Sequence, residues 1–503
     1  MGDIMTEKSI LIIGAGVAGL CTGIYGQMNG YKTRIIEMHK IPGGLVTAWI
    51  RKGYVIDLCI HWLPESGEGL FLHRYWNEVG LLKDRKFLQH DRIGVYQSRD
   101  GNTVNFYCDP DRLEQHLLEL SPADAPIIHE LADGVRLGIR FKSPEKEQDE
   151  ATKLSWMRFI MQMMPMAMDI QKWTRLTVGD LAERFKSPLI REALLSVFEP
   201  DFSVFYMVLS QMGFMYKNQA AYPLGGSLPL ALTMEKRYKE LGGQIIFQSR
   251  VNKILVENGR ALGVQLEDGS EQIADVIVSA ADGYSTIFEM LNGTFTDPKI
   301  TERYKTWKPF RSLIYIAAGV KRTFPGYPYS VEGTAFELDH PIVIAGEEQH
   351  MIPIRIRNEE PSFAPPGNTV LTSAIYTDYD YWKSIDGNAT AYEAEKVKIT
   401  QVYLQALEQL WPGISGQVDV IDVATPLTFQ RYTGNFHGSI TGWKLTPQQA
   451  MAKIPKTLPG LDNFWMVGHW VYPGGGLPAG VSTAREVIWR QCRKDHRAFT
   501  ARS

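Results

Sequence analysis

The chain has 503 residues, 44% hydrophobic and 22% charged, so two or more packed domains are expected and extensive disorder is not. Its net charge of −3 and pI near 6.4 provide no basic footprint for a nucleic-acid partner. Cys21, Cys59, Cys108 and Cys492 lie far apart, without a CxxC pair or Cys/His ligand spacing. That argues against a disulfide framework and a structural zinc site, and fits a reducing cytosol.

The first forty residues read as a βαβ unit. A strand at 9–13, a glycine turn at 14–19 and a helix over 17–29 closed by Gly30 lead into a second strand at 32–37. The opening Met1-Gly2-Asp3-Ile4-Met5-Thr6 meets the loose myristoylation pattern, which short sequences often meet by chance. A tight Arg51-Lys52-Gly53 turn joins alternating stretches at 46–50 and 54–58 as a hairpin. Residues 71–215 carry Trp, Met and Leu at helical spacing, interrupted by a polar, exposed run at 142–150.

From Tyr222 a turn leads into a helix with Leu228, Leu232 and Tyr238 on one face, ended by glycines. Asn258-Gly259 and Asp268-Gly269 then mark hairpins between short strands. Residues 290–425 mix aromatic strands with one helix at 391–410, and the end returns to strand (464–467), glycine loop and helix (479–492). The alternation predicts an α/β protein whose cofactor domain is discontinuous, at 1–70, 220–290 and 426–503. Residues 71–219 and 291–425 would form an inserted α+β substrate domain. No apolar run reaches the ~18–20 residues of a membrane span, so a cytoplasmic protein, at most peripheral to a membrane, is expected.

Gly14-Ala15-Gly16-Val17-Ala18-Gly19 is a complete GxGxxG between strand and helix. The first glycine permits the turn, the second admits pyrophosphate to the backbone, and the third lets helix pack on strand. Val17 and Ala18 begin a helix whose free N–H groups and dipole favour phosphate. Glu37 ends the second strand, where its carboxylate can accept from both ribose hydroxyls. This predicts an adenine-dinucleotide site. Gly43 and Gly44 give a flexible backbone beside a bulky ligand, and Val251 is placed at the same cofactor. A late loop carries Gly468, His469, Gly475, Gly476 and Leu477 into a second helix N-terminus, suited to a flavin edge. Two glycine loops at opposite ends of the chain fit one long cofactor, FAD.

These segments, with Gly53-Tyr54, Asp57, His61-Trp62, Pro223-Leu224-Gly225-Gly226-Ser227 and Pro473-Gly474-Gly475-Gly476-Leu477-Pro478, resemble the phytoene-desaturase-like FAD oxidoreductases. That group includes carotenoid desaturases, carotenoid isomerases and retinol saturases. The resemblance implies a glutathione-reductase-like FAD fold with a lipid-accommodating substrate domain. Many flavoproteins of this fold have Gly-Asp at the late strand end, where this chain has Gly468-His469.

The chemistry expected is oxidation, saturation or isomerisation at a carbon–carbon bond of a long isoprenoid or polyene. Without a second GxGxxG, electrons would pass to or from an outside partner such as oxygen or a quinone. His469 and His61 are the best proton-transfer candidates, although a buried, hydrogen-bonded structural role is the commoner one for such a histidine. Arg431 and Tyr432 line either the flavin pocket or an interface. Asp57 is expected to tie backbone or Arg51 in place. No metal site is expected. The Met-rich stretch 154–170 reads either as a lipid-accepting, membrane-resting wall or as a core helix. A flavin amine oxidase, and a non-catalytic prenyl-lipid carrier like the Rab GDP-dissociation inhibitors, are the competing readings.

Overall fold

The structure, a computed structural model, describes residues 8–141, 153–450 and 452–501, with the backbone alone for 153–156. The polar run at 142–150 and the first seven residues lie outside the described residues.

Five short strands form a parallel sheet with Ser9–Ile13 at its centre. The order is Gln244–Ile246, Lys32–Ile36, Ser9–Ile13, Val276–Ser279, Phe464–Met466. Period-2 alternation divides this sheet into two interiors. Ile10, Ile12, Ile35, Val276 and Val278 face helices Val17–Met28, Ser227–Glu240 and Gly476–Lys494. Leu11, Ile13, Ile36 and Ile277 face the antiparallel strands Val251–Glu257 and Arg260–Leu266. The strands come from all three sections expected to build the cofactor domain, and the glutathione-reductase-like arrangement follows from their order.

The second sheet has seven mixed strands, running Val418–Ala424, Leu313–Val320, Thr369–Tyr376, Glu347–Ile356, Thr334–Ile344, Arg92–Gln97, Thr103–Tyr107. One face packs under the helix Ala389–Leu410. The other carries Leu313, Tyr315 and Ala317 against Ile56 of the early hairpin. Helices between Pro110 and Tyr216 gather at the far end around a separate core.

Two local expectations are corrected. Residues 71–215 are not only helical, because Arg92–Gln97 and Thr103–Tyr107 supply the edge of the second sheet. Their alternation is short and is outweighed in sequence by the flanking helices. In the helix Ser227–Glu240, Leu230, Ala231, Met234 and Tyr238 are buried while Leu232 is exposed. The inward stripe follows the i, i+4 and i+8 positions from Leu230, and Leu232 lies off it.

Candidate active site

The carboxyl ends of the parallel strands meet in one crevice, open to solvent, with a cavity volume of about 240 Å3. Ile13, Ile36, Ala280 and Val467, each at or just past a strand end, line it. This is the crevice where strand order reverses about Ser9–Ile13, the position at which doubly wound sheets bind ligands.

The glycine loop forms one wall through Gly14, Gly16, Val17 and Ala18. Gly14 has φ +95°, which the turn out of the strand requires. A Cβ added at Gly19 would overlap the Gly14 carbonyl oxygen, so Gly19 serves helix–strand packing rather than the cavity. A Cβ at Gly43 would overlap the Val46 carbonyl, which lets the Gly43–Gly44 turn lie against Gly16. Glu37 is buried, and its Oε2 accepts from the Ala15 N–H at 2.6 Å while Oε1 accepts from the His39 N–H at 2.7 Å. Burial raises its pKa and these backbone N–H groups oppose the rise. Its carboxylate therefore fixes the loop and still reaches the cavity.

The late loop forms the opposite wall through Gly468, His469, Gly476 and Leu477. The N-cap residues of the two helices opening on the cavity, Val17–Met28 and Gly476–Lys494, are glycines without a side-chain cap, and Thr441 Oγ1 accepts from the Gly476 N–H at 3.2 Å. A Cβ at Gly16 would meet nothing within 4 Å. The uncapped N-terminus of Val17–Met28 and the open approach at Gly16 fit the pyrophosphate of an elongated ligand that extends to the second helix N-terminus. Gly475 lies behind this wall, against Thr441 and His469. His469 is half-buried, and desolvation lowers its pKa to about 4, so the ring is neutral at pH 7. Val251 and Tyr432 also line the cavity.

Arg431 lies apart. It lines an adjoining cavity with Trp49, Leu58 and Phe429, which shares Glu37, Gly44, Leu45 and Tyr432 with the first. His61 is also elsewhere, facing the second sheet, with Nδ1 3.7 Å from Glu332 Oε2. Burial and the Arg355 guanidinium lower its pKa, opposed by Glu332. Asp57 binds the Ser227 N–H and hydroxyl, rather than Arg51, which pairs with Asp422 at 2.7 Å.

Sequence reasoning missed Asp282. It lines the cavity and accepts from the Ser285 N–H at 2.8 Å and the Phe436 N–H at 2.9 Å. Burial pushes its pKa up to about 7 against those two hydrogen bonds. No local motif marks it, since one donor is 154 residues away. Among the described residues no group of His, Cys, Asp and Glu could hold a metal ion, and no helix is long and apolar enough to cross a membrane.

Fold and cavity together define a flavoprotein built on a dinucleotide-binding sheet. A family model described as flavin containing amine oxidoreductase matches residues 17–488, and the chain belongs to that family. It is an FAD-dependent oxidoreductase. A chloroplastic prolycopene isomerase of Daucus carota is 23% identical over 96% of this chain and 80% of its own. A neurosporene-forming phytoene desaturase of Rhodobacter capsulatus is 24% identical over 95% and 92%. An all-trans-retinol 13,14-reductase of Danio rerio is 22% identical over 96% and 84%. Among solved structures, an oxidoreductase from Methanosarcina mazei has TM-score 0.56 at 16% identity, covering 95% of this chain and 99% of its own. Cyclohexylamine oxidase from Brevibacterium oxydans has TM-score 0.58 at 15% identity, with 97% and 100% covered. These structures share the fold.

Proposed function

We propose that the enzyme acts on a carbon–carbon bond of a long apolar polyene or isoprenoid. The observation that carries this reading is the apolar cluster that borders the cofactor cavity and continues to the second sheet. Leu45 and Ile440 line the cavity and, with Leu58, Ala374 and Tyr376, pack as partly buried side chains around the sheet-facing cluster. A hydrocarbon chain offers no heteroatom to a nucleophile, so orientation in a dry passage must supply much of the rate. The two glycine walls would hold FAD, Gly14–Gly19 taking its pyrophosphate and Glu37 a ribose, and FAD would supply hydride acceptance or donation there. His469 stands at the cavity wall as a neutral ring, able to hold or relay a proton through its N–H. Electrons would pass to or come from an outside partner, with oxygen or a quinone as acceptor.

The Met-rich segment is assigned to a membrane surface. Helix Lys153–Met163, a short 3-10 turn Met164–Met166 and helix Ala167–Arg175 turn Met157, Ile160, Met161, Met164 and Met168 to solvent. Arg158, Lys172 and Arg175 flank that stripe. Exposed apolar side chains with basic neighbours match a helix lying in a headgroup layer, through which a lipid substrate reaches a soluble site.

Anaerobic incubation of oxidised and dithionite-reduced holoenzyme with carotenoid, retinoid and unsaturated fatty-acid panels tests the reaction. Flavin bleaching with a product changed by two hydrogens identifies desaturation or saturation, and unchanged mass with altered retention identifies isomerisation. Rapid bleaching by simple amines, with every polyene inert, would overturn the reading in favour of an amine oxidase.

A further inference from the structure

A second cavity of about 530 Å3 adjoins the cofactor crevice, and its size falls within the ~300–1,000 Å3 of small-ligand sites. Gly44, Leu45, Tyr432 and Thr433 line both spaces, so the border between them is no thicker than these residues. Tyr432 is its loosest part, being 48% exposed with an edge contact to the His39 ring. The apolar walls belong to the cluster described above, since Leu45, Trp49, Leu58 and Phe429 are members of both.

The polar lining is unbalanced. Lys40, Arg51, Lys396 and Arg431 face the cavity against three acids, Glu37, Glu393 and Asp422. Two of the acids are already engaged. Glu37 accepts from the Ala15 and His39 N–H groups. Asp422 pairs with Arg51 and accepts from the Trp49 Nε1–H, both at 2.7 Å. Desolvation holds His39 below the ordinary histidine range, so its ring adds no charge at pH 7. Among the described residues Lys40, Lys396 and Arg431 have no ion-pair partner, and Lys396 rests over the Tyr392 ring, 5.6 Å from its centroid. Scattered surface cations need no partner. These three come from separate segments, one after the second parallel strand and the others on helices Ala389–Leu410 and Pro426–Thr433, and meet at one apolar-walled cavity.

We propose that this cavity seats the far end of the substrate and that this end is a carboxylate. The inference rests on the long-chain reading above and specifies the substrate class as an unsaturated carboxylic acid. The carboxylate accepts paired N–H bonds from Arg431, with Lys40 and Lys396 beside it. The chain lies along Leu58 and Leu45 and passes Tyr432 into the cofactor crevice. Four cations against three acids leave one positive charge, which a monoanion neutralises. A diphosphate end would turn the cavity negative, and a hydrocarbon or ester end gains nothing from the cations.

The test uses oxidised, anaerobic holoprotein, titrated calorimetrically with retinoic acid, linoleic acid, their methyl esters and farnesyl phosphate, while the long-wavelength flavin band is followed. Each acid is expected to bind at least about tenfold more tightly than its ester, about 1.4 kcal/mol, and to shift the flavin band. Arg431→Gln and Lys396→Gln should each lower the acid–ester ratio, and the double variant should erase it with ester affinity unchanged. Acids that bind no more tightly than esters to the unaltered protein overturn the proposal alone, as does a ratio that the double variant leaves intact. Tighter binding of farnesyl phosphate than of either acid would replace the carboxylate by a phosphate, and acid binding without a flavin shift would part this cavity from the substrate. If Arg431→Gln lowers flotation with anionic liposomes at unchanged acid affinity, the cations serve a membrane surface instead. Failure of every acid and ester to bind overturns the long-chain reading and this inference with it.

Discussion

A methyl group added at Gly16 would enter the cavity without touching the chain, whereas one at Gly19 would overlap the carbonyl of Gly14, the residue directly after the strand Ser9–Ile13. Gly16→Ala is therefore expected to leave the thermal midpoint of the flavin-free protein unchanged and to lower flavin occupancy, read from the absorbance ratio after dialysis. Gly19→Ala should instead cost folding stability, at or above the 1–3 kcal/mol typical of overpacking, measured by urea unfolding. The reverse pattern would remove the pyrophosphate from Gly16. Asp282 gives a pH prediction. Its folded-state pKa of about 7, against an ordinary 3.8, means the folded chain retains a proton that the unfolded chain releases. Stability should therefore fall as pH rises from about 4 to about 7, and Asp282→Asn should flatten that part of the urea-midpoint profile. An unaltered slope would show that another group titrates there. The glycines were legible because a turn is local chemistry. Asp282 was not, because its environment is assembled from Ser285 and Phe436 only after the chain has folded.

The Met-rich helices show why an element can be located in sequence while its outward face cannot. Met166, Ile170 and Trp173 turn to the helical core, and Met161 and Met164 are 66% and 63% exposed. With apolar residues on both sides, periodicity does not say which side is buried. The helix Ser227–Glu240 was located in the same way, with its inward stripe misjudged. The edge strands Arg92–Gln97 and Thr103–Tyr107 were passed over because short alternation is a weaker signal than the helices around it. Exposure decides the prediction for the Met-rich element. Met161→Asp with Met164→Asp should change unfolding free energy by no more than about 0.5 kcal/mol per site. Because each buried apolar side chain contributes about 1.5–3 kcal/mol, the pair should lower flotation with anionic liposomes by about tenfold or more. Unfolding of the variant, or undiminished flotation, would return this segment to the core-helix reading.

Across the whole molecule, the cofactor cavity is walled by residues between Ile13 and Cys59, between Ser249 and Met290, and between Tyr432 and Gly480. These come from the three separate sections that the sequence assigned to one domain through its two glycine loops. The link between that domain and the second sheet, made by Ile56, Tyr315 and Phe429, depends on contacts between distant segments and has no motif of its own. A flavin seated in this cavity touches all three sections at once, so it should act as a cross-strut between parts of the chain hundreds of residues apart. A ligand that binds only the folded state stabilises it by RT ln(1 + [L]/Kd), about 2.7 kcal/mol at a hundredfold excess over Kd. Removing FAD should therefore lower the thermal midpoint, and adding it back should restore the midpoint in a concentration-dependent way. Tyr432–Thr441 closes the cavity between the two sheets, so proteolysis of the flavin-free protein should cut first near this stretch and be suppressed by FAD. Equal melting with and without flavin, together with an unchanged cleavage pattern, would mean that FAD is held by one section of the chain instead of joining three.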